Sequence, residues 1–184
     1  MRVGQRRAAF LIRLFHHRWA LVVMVEIARR SGSRFVVLQN GLGINPVSLR
    51  AALRSLRSLG LIRPNPGYGH PLRPEYLPTR RGESLAGVLQ DLYERLRELG
   101  TEDAASRKWS MPVLDAIAAG RSRFGEQRSA LPGLTPRALA QALKDLAATG
   151  LIVREVQDDY PPVPSYRPTA AGQRIARILV RIRV

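Results

Sequence analysis

The chain has 184 residues, and its 30 basic against 14 acidic side chains give a formal net charge of +16. A pI near 11.6 points to a polyanionic partner. The hydrophobic content of 45% excludes an extended basic tail and is enough for one ordinary domain or two small ones. The chain has no cysteine, which excludes disulfides, thiolate metal sites and cysteine nucleophiles. Its longest apolar stretch, Trp19 to Val25, is too short to span a bilayer and nothing reads as a signal peptide, so we expect a cytoplasmic protein without membrane contacts.

The sequence repeats itself with an offset of 90 residues. The stretch Asn45 to Ile62 matches Thr135 to Ile152, with eight identical residues. The Arg34-Phe35 pair matches Arg123-Phe124 at an offset of 89, so one short gap opens and later closes. Repeats on this scale indicate duplicated structural units. We therefore expect two tandem domains, unit one (1–100) and unit two (101–184).

Each unit is predicted to begin with two helices. The first is apolar and runs from about Ala8 to Arg30 in unit one and from about Lys108 to Ala119 in unit two. A short helical segment then begins at Arg34-Phe35 or at Arg123-Phe124.

A third helix has well-defined ends in both units. Asn45 or Thr135 is its N-cap, a proline follows at the first helical position, and a glycine stands at its end. Its buried face has the i, i+3, i+4, i+7 spacing of an amphipathic helix. These apolar positions are Leu49, Ala52, Leu53 and Leu56, and Leu139, Ala142, Leu143 and Leu146.

Each unit is predicted to end with a β-hairpin and a final helix. The hairpins lie within Leu61 to Pro78 and Leu151 to Pro168, and their prolines favour an irregular tip. The final helices cover Gly82 to Leu99, followed by a linker at residues 100–103, and Gly172 to Ile182. Three helices, a hairpin and a last helix make a winged helix-turn-helix, a mainly α fold with small β wings (α+β).

These residues resemble the HxlR-like winged helix-turn-helix transcriptional regulators of bacteria. The resemblance lies in Arg18-Trp19 and Lys108-Trp109, in the two Arg-Phe pairs, and in the runs 76–79 and 166–169 that end in Pro-Thr. Members of that family usually carry one unit and dimerise through their first and last helices. The resemblance therefore implies an intramolecular pseudo-dimer, packed through the first, linking and C-terminal helices. The chain departs from the family in lacking the sensing cysteine found in many members, so we expect no thiol sensor.

The helix-turn-helix plan predicts that helices 46–58 and 136–148, here called the reading helices, enter the major groove of double-stranded DNA. Arg50, Arg137 and Gln141 have donors for base edges, whereas Arg54, Arg57 and Lys144 lie where they reach phosphates. The wings would add contacts in the flanking minor groove. The candidate DNA-contacting residues are Arg34, Asn45, Val47, Ser48, Arg50, Arg54, Arg57, Arg63, His70, Arg73, Arg123, Thr135, Arg137, Gln141, Lys144 and Arg154.

The two units are predicted to contribute unequally. Residues 1–100 carry a net charge of +11 and residues 101–184 a net charge of +5, with Asp145 on the second reading helix and Asp158-Asp159 in the second wing. We therefore expect an imperfect palindrome, or one strong half-site read by unit one.

The favoured hypothesis is a sequence-specific transcriptional regulator, a repressor rather than an activator, that acts at the nucleoid. The alternatives are a tandem winged-helix protein–protein scaffold and a non-specific nucleic-acid-binding architectural protein. Neither catalytic nor cofactor residues are predicted, and the three histidines lack the carboxylate partners of a metal site. A cavity between the units could hold a small apolar effector, and the chain is either a monomeric pseudo-dimer or a homodimer.

Overall fold

The computed structural model describes residues 3–65, 75–157 and 163–183. In unit one it shows two helices where the sequence predicts a single first helix. Helix α1 spans Val3–Leu14 and helix α2 spans Ala20–Arg29. Between them lies a run of aromatic and imidazole side chains, which are weak helix formers. On either side of the break, Phe15 and Ala20 are both buried in the core. The prediction of one helix from Ala8 to Arg30 is therefore wrong.

The helix-turn-helix elements lie where the sequence predicts them. In unit one, α3 (Phe35–Leu42) leads through Gly43, in the left-handed conformation, into α4 (Pro46–Ser58). The Asn45 side chain caps α4 by accepting a hydrogen bond of 2.9 Å from the amide of Ser48. The four apolar residues predicted for the buried face of α4 are all buried.

Unit two repeats this arrangement. Its helices are α7 (Ser110–Ala118), α8 (Phe124–Ala130) and α9 (Pro136–Ala148). Thr135 caps α9, and its hydroxyl accepts a hydrogen bond of 3.2 Å from the amide of Ala138. The α9 face predicted to be buried is also buried.

Each unit contains a small antiparallel sheet that includes its wing. In unit one, β1 (Ser33–Arg34), β2 (Ile62–Pro64) and β3 (Glu75–Pro78) form a sheet in the order β1-β3-β2. In unit two, β4 (Ile152–Gln157) pairs with β5 (Val163–Pro168), and Arg123 forms an isolated bridge with Ser165. Arg34 pairs with Glu75 in the same way. The two arginines, 89 residues apart, therefore occupy equivalent places in the two sheets. The wing tips, residues 66–74 and 158–162, lie outside the described residues.

A threonine and a glycine fix the start of each final helix. Helix α5 spans Arg80–Glu98, and Thr79 accepts a hydrogen bond of 3.1 Å from the amide of Gly82. A Cβ atom at Gly82 would lie 2.1 Å from the carbonyl oxygen of Leu61, and one at Gly172 would lie 1.9 Å from that of Leu151. The repeated Thr-x-x-Gly motif therefore marks a close approach of helix and strand that leaves no room for a side chain.

The final helices differ slightly from the prediction. Both α5 and α10 (Ala170–Val180) begin two residues early, because the threonines act as their N-caps. The linker is shorter than predicted, since a helical turn, α6 (Glu102–Ala105), begins within it.

The units join through the elements that the sequence predicts. Helix α1 packs on α7 of the other unit, α5 packs on α10, and one continuous hydrophobic core includes residues of both units. Arg181 donates a hydrogen bond of 2.7 Å to Asp91, which occupies the equivalent position one repeat earlier. In a symmetric dimer such a residue would meet its own copy, whereas here the duplicated positions carry opposite charges. The described residues contain no helix that is both long and apolar enough to cross a bilayer.

Candidate nucleic-acid interface

The two reading helices, α4 and α9, each turn one face to the core and the other to solvent. Both have 13 residues, a side-chain N-cap and proline at the first position. Because their buried stripes match, residues 90 positions apart occupy equivalent places on the two outward faces. Among the candidate residues on α4 and α9, Ser48 is half-buried and the others are exposed: Val47, Arg50, Arg54, Arg57, Arg137, Gln141 and Lys144.

The outward face of unit one is basic and apolar. Residues 34–63 contain no acidic residue. The Arg50 guanidinium lies over the ring of Phe35, 5.4 Å from its centroid, which holds this cation at the junction of α3 and α4. Val47, Val36 and Val37 are 72%, 57% and 41% exposed.

The outward face of unit two is more polar and partly neutralised. Gln141 donates a hydrogen bond of 2.8 Å to Asp145, and Arg107 donates one of 2.6 Å to the other oxygen of that carboxylate. Gln141 is thus already bonded within its own helix, whereas the sequence predicts it as a reader of base edges. Glu126 accepts a hydrogen bond of 3.0 Å from the backbone amide of Arg123, so this acid serves as a helix cap.

The remaining candidates surround these two faces. Arg34 and Arg123 are exposed residues that directly precede α3 and α8, and the caps Asn45 and Thr135 are exposed as well. Arg63 and Arg154 are exposed on β2 and β4. His70, Arg73, Asp158 and Asp159 lie outside the described residues.

One histidine interacts electrostatically with the reading helix of unit one. Burial lowers the pKa of His17, and the neighbouring His16 and Arg54 lower it further. The lowered pKa favours the neutral imidazole beside Arg54. Among the described residues, no group of three or more metal-ligating side chains is close enough to hold an ion.

Sequence reasoning missed two features of the interface. Val36 and Val37 are exposed on α3, whereas an apolar pair at this place in the sequence indicates core residues. The contact between Arg107 and Asp145 joins residues 38 positions apart, before α7 and on α9, and no local pattern predicts it.

Four aromatic residues near the helix-turn-helix elements pack against the hydrophobic core. Trp19, Trp109, Phe35 and Phe124 are all partly buried against the hydrophobic cluster. Each tryptophan also lies under a neighbouring cation, since Arg18 and Lys108 stand 5.3 Å and 4.8 Å from the ring centroids.

A cavity of about 100 Å³ lies between the start of α2, the end of α5 and α6. Its walls include Phe15, Trp19, Leu96 and Tyr93, and Arg18 pairs with Asp103 among its lining residues. The cavity thus lies where unit one meets the linker to unit two.

A buried ion pair joins the two units. The Arg7 Nε atom lies 3.1 Å from both carboxylate oxygens of Asp115, and these side chains are 14% and 8% exposed. Burial raises the pKa of Asp115, and the arginine opposes this shift. The pair connects α1 of unit one to α7 of unit two.

Comparison with known proteins agrees with this arrangement. The sequence is 36% identical over 78 residues to an uncharacterized HTH-type transcriptional regulator of Synechocystis sp., a match that covers 42% of this chain and 58% of the relative. An uncharacterized HTH-type transcriptional regulator of Methanothermobacter thermautotrophicus is 38% identical over 72 residues, covering 39% of this chain and 55% of the relative. YkvN of Bacillus subtilis, also an uncharacterized HTH-type transcriptional regulator, is 32% identical over 79 residues, covering 43% and 67%.

The chain thus spans just over half the length of the first two of these relatives. The model of the HxlR-like helix-turn-helix family matches residues 14–103 and again residues 104–183. Two consecutive matches over most of the sequence agree with the structural repeat and with the paired reading helices. The chain belongs to the HxlR-like helix-turn-helix family and carries two of its units in tandem.

Proposed function

We propose that this protein is a sequence-specific regulator of transcription that binds double-stranded DNA with both units of one chain. The observation that carries the proposal is the pair of equivalent, capped reading helices with exposed basic faces on one continuous core. Membership of a family of helix-turn-helix transcriptional regulators supports DNA as the partner.

Recognition would divide between base edges and phosphates. Arg50 and Arg137 stand on the N-terminal halves of their helices and offer paired donors to guanine. The free amides at the helix N-termini and the cations Arg54, Arg57 and Lys144 would bind phosphates. Arg34, Arg123, Arg63 and Arg154 flank the helices and suit backbone or minor-groove contacts.

The proposed mode of regulation is repression at a DNA site in the cytoplasm. In this proposal the chain blocks polymerase by occupying its operator. The proposal includes no catalytic step.

Selection of bound sequences from a random duplex pool at near-physiological salt tests the proposal. We expect a two-part site whose centres are about 10 base pairs apart, one helical turn. Binding without enrichment that disappears at moderate salt would indicate non-specific phosphate contacts and an architectural protein. Absence of DNA binding would favour the scaffold hypothesis.

We further propose that the cavity beside Trp19 binds a small apolar effector. Its aromatic walls and its volume of about 100 Å³ suit a molecule near the size of one ring. A Trp109→Phe variant leaves Trp19 as the single tryptophan, and titration with benzyl alcohol should change its fluorescence saturably. The same change in a Val22→Phe variant, whose added ring fills the cavity, would contradict binding there.

A further inference from the structure

The outward faces of the two reading helices carry the same two kinds of side chain in opposite order. Equal caps and equal buried stripes make Val47 equivalent to Arg137, and Arg50 equivalent to Ala140. All four residues are exposed. From the N-terminus, unit one therefore presents an apolar residue and then arginine, whereas unit two presents arginine and then an apolar residue.

Neither apolar residue is explained by packing. Val47 is 72% exposed, although its neighbours Ile44 and Leu49 are buried. A β-branched side chain at an exposed helix position adds nothing to helix stability. Val36 and Val37, also exposed, belong to the preceding α3.

These two side-chain types read different bases in the major groove. Arginine donates two hydrogen bonds to O6 and N7 of guanine, whereas an apolar side chain contacts the methyl group of thymine. Residues three apart lie on the same face of a helix, so both members of each pair can reach the groove together. The order of the side chains then sets the order of the bases.

We propose that the operator has two non-equivalent half-sites in which thymine and guanine exchange places. Val47 and Arg50 of unit one select thymine and guanine, and Arg137 and Ala140 of unit two select guanine and thymine. This inference rests on the proposed function and specifies its DNA ligand. A homodimer of single units reads a palindrome. The tandem chain can instead read an asymmetric site, which no such homodimer matches.

The test compares three proteins by selection from the same random duplex pool. The wild type should enrich a two-part site that differs from its own inverted repeat at these positions. The double variant Val47→Arg/Arg50→Ala gives unit one the pattern of unit two and should enrich a palindrome of the unit-two type. Arg137→Val/Ala140→Arg does the reverse and should enrich a palindrome of the unit-one type.

Competition binding then measures the size of the preference. The wild type should bind the asymmetric duplex about 5- to 100-fold more tightly than either symmetric duplex, and each double variant should reverse this order for its own palindrome. All substituted positions are exposed, and circular dichroism with thermal unfolding confirms that each variant is folded. Val47→Arg alone keeps the Arg50–Phe35 contact and should still shift the selected base in one half-site only.

The outcomes separate this inference from the proposed function. A wild type that selects a palindrome, or variants that select the wild-type site, would overturn the inference and leave sequence-specific binding intact. Failure of every protein to enrich any sequence would overturn both.

Discussion

Loss of the arginine in the buried Arg7–Asp115 pair should destabilise the protein strongly. Asp115 is 8% exposed and its carboxylate receives two contacts of 3.1 Å from Arg7. In an Arg7→Met variant this carboxylate stays buried without its cation, and such a loss costs about 3–5 kcal/mol of the free energy of unfolding. Because the whole protein is expected to be stable by about 5–15 kcal/mol, urea unfolding will resolve this change easily.

A double-mutant cycle distinguishes the pair from its separate residues. Asp115→Leu alone leaves Arg7 buried without its anion and should also be destabilising, whereas Arg7→Met/Asp115→Leu removes both charges and should be close to wild type. The pair between Arg18 and Asp103 is the control, because it is also charged but 57% and 83% exposed. Arg18→Met should change the free energy of unfolding by less than about 1 kcal/mol. Costs that simply add in the Arg7/Asp115 double variant would refute the reasoning.

Three further predictions concern pH, packing and DNA binding. Burial raises the pKa of Asp115, so its contribution to stability is complete below the unfolded value, about 3.9, and is lost as the pH rises through the folded value. The Arg7→Met variant lacks the cation that opposes this rise in pKa. Its destabilisation relative to wild type should therefore be small near pH 3, about one unit below the unfolded pKa, and should grow towards neutral pH. A difference in urea unfolding that stays constant with pH would contradict this assignment. Gly82→Ala should lower the free energy of unfolding by about 1–3 kcal/mol, because its Cβ meets the Leu61 carbonyl. Gly87→Ala, in the same helix with open space around it, should raise it by about 0.5–1 kcal/mol, and equal effects of the two would refute the packing argument. Lys144→Ala should weaken DNA binding equally for all sequences and reduce the slope of log binding constant against log salt concentration by about 0.9. Lys108→Ala, outside the reading helices, should leave this slope unchanged. A change of base preference in Lys144→Ala would contradict its phosphate role.

Local signals in the sequence predict most of this fold. Asn45-Pro46 and Thr135-Pro136 mark helix starts by their own chemistry, and the i, i+3, i+4, i+7 leucines identify the buried faces without any tertiary information. The 90-residue repeat adds the domain organisation, because each assignment can be checked against its second copy.

Other features depend on contacts that sequence patterns do not contain. The break after Leu14 separates α1, which contacts α7 of unit two, from α2, which packs on α4 and α5, and this division of partners adds to the weak local helix propensity. Arg7 and Asp115 are 108 residues apart, and each looks like an ordinary surface charge in its own stretch. The hydrogen bond between Gln141 and Asp145 can be predicted from the sequence, because a spacing of four residues on a helix brings side chains together.

In the proposed function, one chain supplies both halves of a DNA-reading dimer. Native mass spectrometry of the protein with its selected duplex measures this stoichiometry directly. We expect one chain of 20.5 kDa on each two-part site. Two chains on each two-part site, with one half-site read by each, would contradict it.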